Sequence, residues 1–454
     1  MTEILDTDVA VLGAGLSGLT AARDLVRAGL RVTVIEARDR LGGRVCNESL
    51  DDSGQIVEVG GQWVGPGQHR VAALIDDLGL STFPTHDDGR HLVWFGGRLR
   101  SYAGRIPRIG PLTIADVGLA QQRLERLART VPLDRPWDAL RAAELDAQTF
   151  AQWIRRTCRT DGGRRFFDVV CAAVWATDAA NVSLLHVLFY VHSAGGLDEL
   201  LDTAGGAQQD RIVGGTQLLA EGLGDRIGRE HILLAEPVRR VAWDDAGAAL
   251  HTDSRVVRAR RAILTGPPAM LGRLAYDPPL PAERDLLTQR VPNGAVIKCM
   301  AVYERPFWRD QGLSGQAASD EGPVQVVFDN TPPSGAPGVL LGFLEGPHAV
   351  ALSSATADER RAVIVDAFTR LFGPQAAAPT RYIEKDWTAE EWTRGCYGGH
   401  LPPGVWTQFG PALARPVGPL HWAGSETGTH WSGYIDGAVE SGERAAAEVV
   451  AALR

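Results

Sequence analysis

Gly395-Cys396-Tyr397 sets a thiol beside a phenol, and a second phenol, Tyr434, closes His430-Trp431-Ser432-Gly433-Tyr434 ahead of a small-residue helix. A buried thiol is ordinarily inert packing, yet sulfur can also anchor a group covalently. Phenol rings fill cores, but their electron-rich faces also orient a nitrogen centre. Together the three side chains suit a flat ring held through sulfur and faced by two phenols. A fourth residue stands out by composition. Of 46 basic residues, only Lys298 and Lys385 are lysine. A GC-rich genome explains the arginine excess but not the two exceptions. Lysine is the basic residue whose pKa the surroundings can move. Lys298 sits in the apolar run Val296-Ile297-Lys298-Cys299-Met300-Ala301-Val302-Tyr303, a strand pattern. On residues alone it reads as an edge lysine with its head in water.

A ring needs an element to hold it, and the N-terminus supplies one. The apolar run Asp8–Leu12 leads into Gly13-Ala14-Gly15-Leu16-Ser17-Gly18, then a helical pattern through Leu19, Ala22, Leu25 and Val26. Arg31–Ile35 reads as a second strand ending in Glu36. Strand, GxGxxG, helix, strand and acid form the complete dinucleotide context. The glycines admit a pyrophosphate, the helix N-terminus attracts it, and Glu36 accepts from a ribose hydroxyl. Arg40-Leu41-Gly42-Gly43-Arg44 follows, with Arg44 able to donate to phosphate oxygens. Gly60-Gly61-Gln62-Trp63 is a further tight turn after the strand Ile56–Val59.

The chain's 454 residues exceed one ordinary core, so two closely packed domains are expected. Residues 107–165 carry helical spacing with no chemistry visible, and short strands are expected at 231–234, 238–242, 248–252 and 261–265. Leu340–Leu344 reads as a buried strand. A net charge of −9 argues against nucleic acid and anionic membranes as partners. Five unpatterned cysteines indicate neither a disulfide framework nor a zinc site. Met1–Asp6 lacks a basic start and an apolar core, and no run reaches the ~18 apolar residues of a membrane span. A cytoplasmic protein without a membrane anchor is expected, and a homodimer is compatible with this reading.

From Glu36 to Arg44, the Glu-x-x-x-Arg-x-Gly-Gly-Arg pattern resembles the flavin-containing amine oxidase family. Trp387, Gly395-Cys396-Tyr397, Pro402-Pro403-Gly404, Gly424-Ser425-Glu426 and Thr429–Tyr434 fall in monoamine oxidase order. The resemblance spans nearly the whole chain and is weakest over 100–180. It implies an α/β plus α+β fold, in which a Rossmann-like FAD-binding domain (1–82, 211–292 and 391–454) interleaves with a substrate domain of mixed sheet flanked by helices (83–210 and 293–390). FAD is the implied cofactor, with Gly13, Gly15, Ser17, Gly18, Glu36, Arg38, Gly43, Arg44, Gly60, Gly61, Gln62, Trp63, Val238, Trp387, Cys396, Gly424, Glu426, Gly433, Tyr434 and Ile435 as its contacts. The match implies a thioether from Cys396 to the FAD 8α-methyl, although many bacterial relatives bind FAD without that bond.

By the same resemblance Tyr397 and Tyr434 form an aromatic cage, and Lys298 assists reoxidation of the flavin by dioxygen. The helix from Ile435 turns its N-terminus toward the ring, favouring the anionic reduced form. Tyr190, Leu201, Gln208 and Phe343 match substrate-pocket positions. Trp63 and Val326 stand where those enzymes carry tyrosines, and Ala173 replaces a larger aliphatic residue, so a differently shaped cavity is expected. The implied function is oxidation of a primary aromatic or aliphatic amine by O2, giving an imine, then aldehyde, and hydrogen peroxide. Rival readings are a polyamine or diamine oxidase, an L-amino-acid oxidase, or an FAD-binding scaffold without activity.

Overall fold

The computed structural model describes residues 3–50 and 54–454; the Met1-Thr2 start and residues 51–53 of the expected first dinucleotide segment lie outside them. Strand β1 (Glu3–Leu12) buries its apolar half and runs through the first glycine turn into helix α1 (Leu16–Arg27), after which β2 (Val32–Ile35) returns parallel to it. Parallel neighbours need a crossover, and α1 provides it. On its other side β1 pairs in parallel with β3 (Arg255–Thr265), from Glu3↔Arg255 to Leu12↔Leu264. The apolar run marks only the second half of β1; its polar half is held by the same ladder, with side chains Glu3 and Ile4 exposed. Among the described residues this sheet has eight strands, and Leu420–Ala423 joins β3 in parallel, returning the C-terminal segment to the N-terminal turn.

A second sheet, seven-stranded among the described residues, contains β4 (Val296–Tyr303) and β5 (Gly338–Glu345). β4 lies between β5 and the strand Arg381–Asp386, antiparallel to both, and all eight of its residues are buried. Lys298 is therefore on an interior strand, and the edge-lysine reading gives way to burial on both sides. Alternation along the strands sends Ile297, Cys299 and Ala301 toward Ile364 and Phe368, whereas Val296, Met300 and Phe343 face Trp387 and Cys396. Lys298, paired with Phe343, and Glu345, two residues beyond it, share that second face.

Helices cover the substrate side. Pro111–Ala128 buries Val117, Ala120, Leu124 and Ala128 at helical spacing. Leu184–Ser193 is buried on nearly all sides, starts at Ser183, whose Oγ accepts from the His186 N–H (3.2 Å), and carries Tyr190. Helix α2 (Ile435–Leu453) packs along α1. Gly442 permits the contact, since a Cβ there would lie 2.4 Å from the Ser17 carbonyl oxygen.

Candidate active site

The two sheets enclose a continuous cavity of about 620 Å³. One end is bounded by the first glycine turn, Glu36, Arg38, Val238, Gly266 and Trp392; the other by Tyr190, Leu201, Gln208, Val326, Phe328 and Phe343. Lys298, Cys396, Tyr397 and Tyr434 also line it.

The three glycines of the first turn have different work. Gly13 has φ +98°, and a Cβ there would strike Thr265 Oγ1 at 2.6 Å; at Gly18 it would meet the Gly13 carbonyl oxygen at 2.0 Å. Both are demanded by packing. Gly15 has an ordinary extended conformation (φ −76°, ψ 171°), yet a Cβ on it would meet nothing within 4 Å. It borders open space, where α1 begins without a side-chain cap. Such an opening at a helix N-terminus could hold a phosphate. Glu36 is buried, and its carboxylate accepts from the Ala14 N–H (2.7 Å) and the Arg38 N–H (2.9 Å), fixing it at the cavity edge. The N-terminus of α2 also opens on the cavity through Tyr434 and Ile435, again without a side-chain cap. This chain thus offers two helix N-termini, a carboxylate for a ribose and a long enclosed channel, and these fit FAD.

Arg44 bridges the halves. Its guanidinium donates to both Glu426 oxygens (2.6 and 3.0 Å), to Ser425 Oγ and to the Tyr397 carbonyl oxygen. Burial pushes the Glu426 carboxyl up, but Arg44 outweighs it and holds the group ionised, below its ordinary pKa. Arg44, Gly43, Gly60, Gly61, Gln62, Trp63, Val238, Trp387, Gly424 and Gly433 all line the cavity. Glu426 and Gly18 stand outside the lining, the first positioning Arg44 and the second the glycine turn. The Ser17 hydroxyl is 2.8 Å from that of Ser441, so its side chain ties α1 to α2 while the residue borders the channel.

Lys298 is only 4% exposed. Its ammonium donates to the Gly60 carbonyl oxygen (2.8 Å) and to Gln62 Oε1. The Gln62 amide in turn donates to Asn330 (2.7 Å), so the lysine head is aimed by a fixed chain. Burial lowers its pKa to about 7. The aromatic wall follows: Trp63 lies 4.9 Å from Phe328, Phe343 is 6.1 Å from Tyr397, and Tyr190 is 6.0 Å from Tyr434. Burial keeps both cage phenols protonated, their pKa values raised. Cys396 lines the cavity with its thiol pushed up to about 12, again by burial.

One residue is missing from the sequence reading. Glu345 lines the cavity, is 1% exposed, and accepts a 2.7 Å hydrogen bond from the Tyr397 hydroxyl. The apolar pattern places the strand at Leu340–Leu344, ending one residue short of it. An acid closing an otherwise apolar strand was the available signal.

The chain matches the flavin containing amine oxidoreductase family over residues 16–450. It is 43% identical to AofH of Mycobacterium tuberculosis, assigned to the flavin-containing monoamine oxidases, over 98% of this chain and 97% of that one. It is 36% identical to an L-amino acid dehydrogenase of Synechocystis, over 98% and 97%. Among solved structures, a putrescine oxidase bound to putrescine superposes with a TM-score of 0.95 at 36% identity, covering 99% of this chain and all of that one. Cyclohexylamine oxidase from Brevibacterium oxydans gives 0.94 at 34% identity, covering 99% of each. The chain belongs to the flavin-containing amine oxidoreductases, and it is an FAD-dependent oxidoreductase acting on the CH–NH2 group.

Proposed function

We propose that this chain oxidises a primary monoamine, aromatic or aliphatic, with dioxygen as acceptor and an aldehyde, ammonia and hydrogen peroxide as products. The observation that carries this reading is the charge pattern of the cavity. Its described arginines are Arg38, Arg44, Arg239, Arg273 and Arg394, and none belongs to the aromatic end. Arg44, nearest the cage, is closed by Glu426. A substrate carboxylate therefore has no free guanidinium to meet, which disfavours amino acids. Of the described lining acids, Glu36 and Glu391 belong to the dinucleotide end and Glu345 touches the cage, so a diamine's distal ammonium finds no carboxylate among Leu201, Gln208, Val326 and Phe328.

FAD, when bound, supplies the two-electron acceptor for the α-carbon hydride and the route for those electrons to dioxygen. Gly15 and the start of α1 would hold its pyrophosphate, Glu36 would accept from its ribose, and Arg38, Val238, Trp387 and Gly424 would line the rest of its site. The uncapped N-terminus of α2 places partial positive charge at the ring end of the channel. Tyr397 and Tyr434 hold the amine nitrogen by their ring faces, and the surrounding aromatic side chains exclude water. Lys298 contributes positive charge where dioxygen gains negative charge. Cys396, on the cavity wall next to Tyr397, is the atom for a thioether. Residues 1–82, 211–292 and 391–454 serve the cofactor, and 83–210 and 293–390 the substrate, a division supported by the membership of the two sheets.

A panel of tyramine, putrescine and L-tyrosine followed by peroxide release tests this. Tyramine is expected to exceed the other two by at least about tenfold in kcat/KM, the scale of one missing charge partner. Preference for putrescine or L-tyrosine would move the chain to one of the rival activities.

A further inference from the structure

An alkylamine in neutral water is an ammonium, with a pKa near that of a lysine side chain, about 10.4. The amine must be neutral to react, because only then does nitrogen hold a lone pair between the two phenols. Something in the cavity has to take the proton. Most of its titratable groups are already committed. Lys298 donates to Gly60 and Gln62, Glu426 is closed by Arg44, and the cage phenols and the Cys396 thiol are all protonated.

Glu345 is different. Its Oε1 accepts from Tyr397, while its Oε2 is fully buried and has no hydrogen-bond partner. A buried carboxyl oxygen left unpaired costs about 1–3 kcal/mol or more, so an unpaired Oε2 on a cavity-lining residue calls for a ligand. Lying two residues beyond Phe343 on β5, it is on the sheet face that lines the cavity. We propose that Glu345 is the proton acceptor for the incoming alkylammonium, its Oε2 taking the N–H proton so that neutral amine is delivered between Tyr397 and Tyr434. The N–H bond breaks with its electron pair left on nitrogen, an O–H bond forms at Oε2, and the carboxyl returns its proton to water after product leaves. This rests on the amine-oxidase reading above and assigns the residue that prepares its substrate.

The titratable groups facing Glu345 are few. Tyr397 donates to it, Cys396 adjoins Tyr397, and Tyr434 faces Tyr397 across the cage. Lys298 lies two residue pairs along β4, whose residue opposite Glu345 is the apolar Val296. His348 follows on its own segment, and exposed Asp178 follows Thr177, which packs over Gly346. Burial raises the Glu345 pKa to about 8, and the Tyr397 hydrogen bond opposes the shift only in part. The carboxylate is thus available from about pH 8 upward, while the amine is still charged.

The test uses the flavin-loaded enzyme and α,α-dimethylphenethylamine, a primary amine with no hydrogen on its α-carbon and so no oxidation. Proton release on binding is measured by calorimetry in buffers of different ionisation enthalpy. In the wild type, release is expected to fall from near one proton to near none as pH rises through about 8, because the carboxylate then retains the ammonium proton. Glu345→Gln is expected to release close to one proton at every pH below the amine's pKa. From parity well below pH 8, it should bind about tenfold more tightly than the wild type at about pH 9, because the wild-type carboxyl is then mostly ionised and must regain a proton, and the gap should widen as pH rises. A wild type whose proton release is flat across that range overturns the proposal, whatever the variant does. So does a Glu345→Gln enzyme with the wild-type proton count. If tyramine still reduces the flavin in those cases, the amine-oxidase reading stands and this assignment alone falls. Failure of every amine to reduce the flavin removes both.

Discussion

At residue scale, Lys298 and Cys396 carry separate predictions. Burial lowers the lysine pKa to about 7, so its positive charge is present below that value and lost as pH rises through it. Reoxidation by dioxygen should therefore slow as pH rises past about 7 in the wild type. Lys298→Met should flatten that profile and slow reoxidation by about tenfold or more, a loss of roughly 1.4 kcal/mol or more, with flavin reduction little changed. Stopped-flow mixing of reduced enzyme with oxygenated buffer reads both. Equal slowing of the two half-reactions would discard the assigned role. For Cys396, acid precipitation should leave the yellow colour in the pellet, and Cys396→Ala should release it to the supernatant. Colour already free in the wild type removes the tether. Cys396, Tyr397 and Lys298 are visible in the sequence as odd residues for a core. What they do was legible only through resemblance, because nothing in local spacing brings residue 298 beside the turn at 60–62.

At the scale of elements, the glycine turn and the Arg44–Glu426 bridge can be separated. Gly15→Ala adds a methyl in an allowed conformation where the polypeptide leaves space. The apoprotein should fold with stability within about 1 kcal/mol of wild type, yet retain little FAD. Gly18→Ala instead drives a methyl into the Gly13 carbonyl and should destabilise the protein itself, by about 1–3 kcal/mol. Denaturant titration alongside flavin content distinguishes them; equal flavin content in Gly15→Ala and wild type would contradict phosphate binding at this opening. Glu426→Ala strands a guanidinium whose side chain is only 21% exposed, at a cost of about 3 kcal/mol, and should loosen the cage through the Tyr397 carbonyl. Apolar runs located β1, β2, β4 and β5 well, since burial and strand propensity agree there. They misjudged β1's polar half, which a backbone ladder rather than side-chain burial extends. They also stopped β5 before Glu345, because a lone acid reads as a strand end unless its partner, Tyr397, is already in view.

At the scale of the whole molecule, the cavity exists because two sheets built from alternating stretches of chain close on each other. The discontinuous arrangement follows from Leu420–Ala423 returning to β3 and from β4 lying inside the second sheet, pairings no window of sequence contains. Among the described residues no helix is long and apolar enough to cross a membrane. A cofactor filling so long a channel should stabilise the fold by mass action. FAD at a hundredfold excess over its Kd adds about 2.7 kcal/mol, seen as a raised Tm over the apoprotein, unless the tether has formed. The most direct test of the central claim, a flavin faced by the Tyr397–Tyr434 cage and reduced by an amine, is anaerobic titration of the yellow protein with tyramine. Loss of the visible flavin band at one amine per flavin, reversed by air with one peroxide formed, is the predicted result. A band that tyramine and other monoamines leave unchanged, while an amino acid or a diamine bleaches it, would contradict the account.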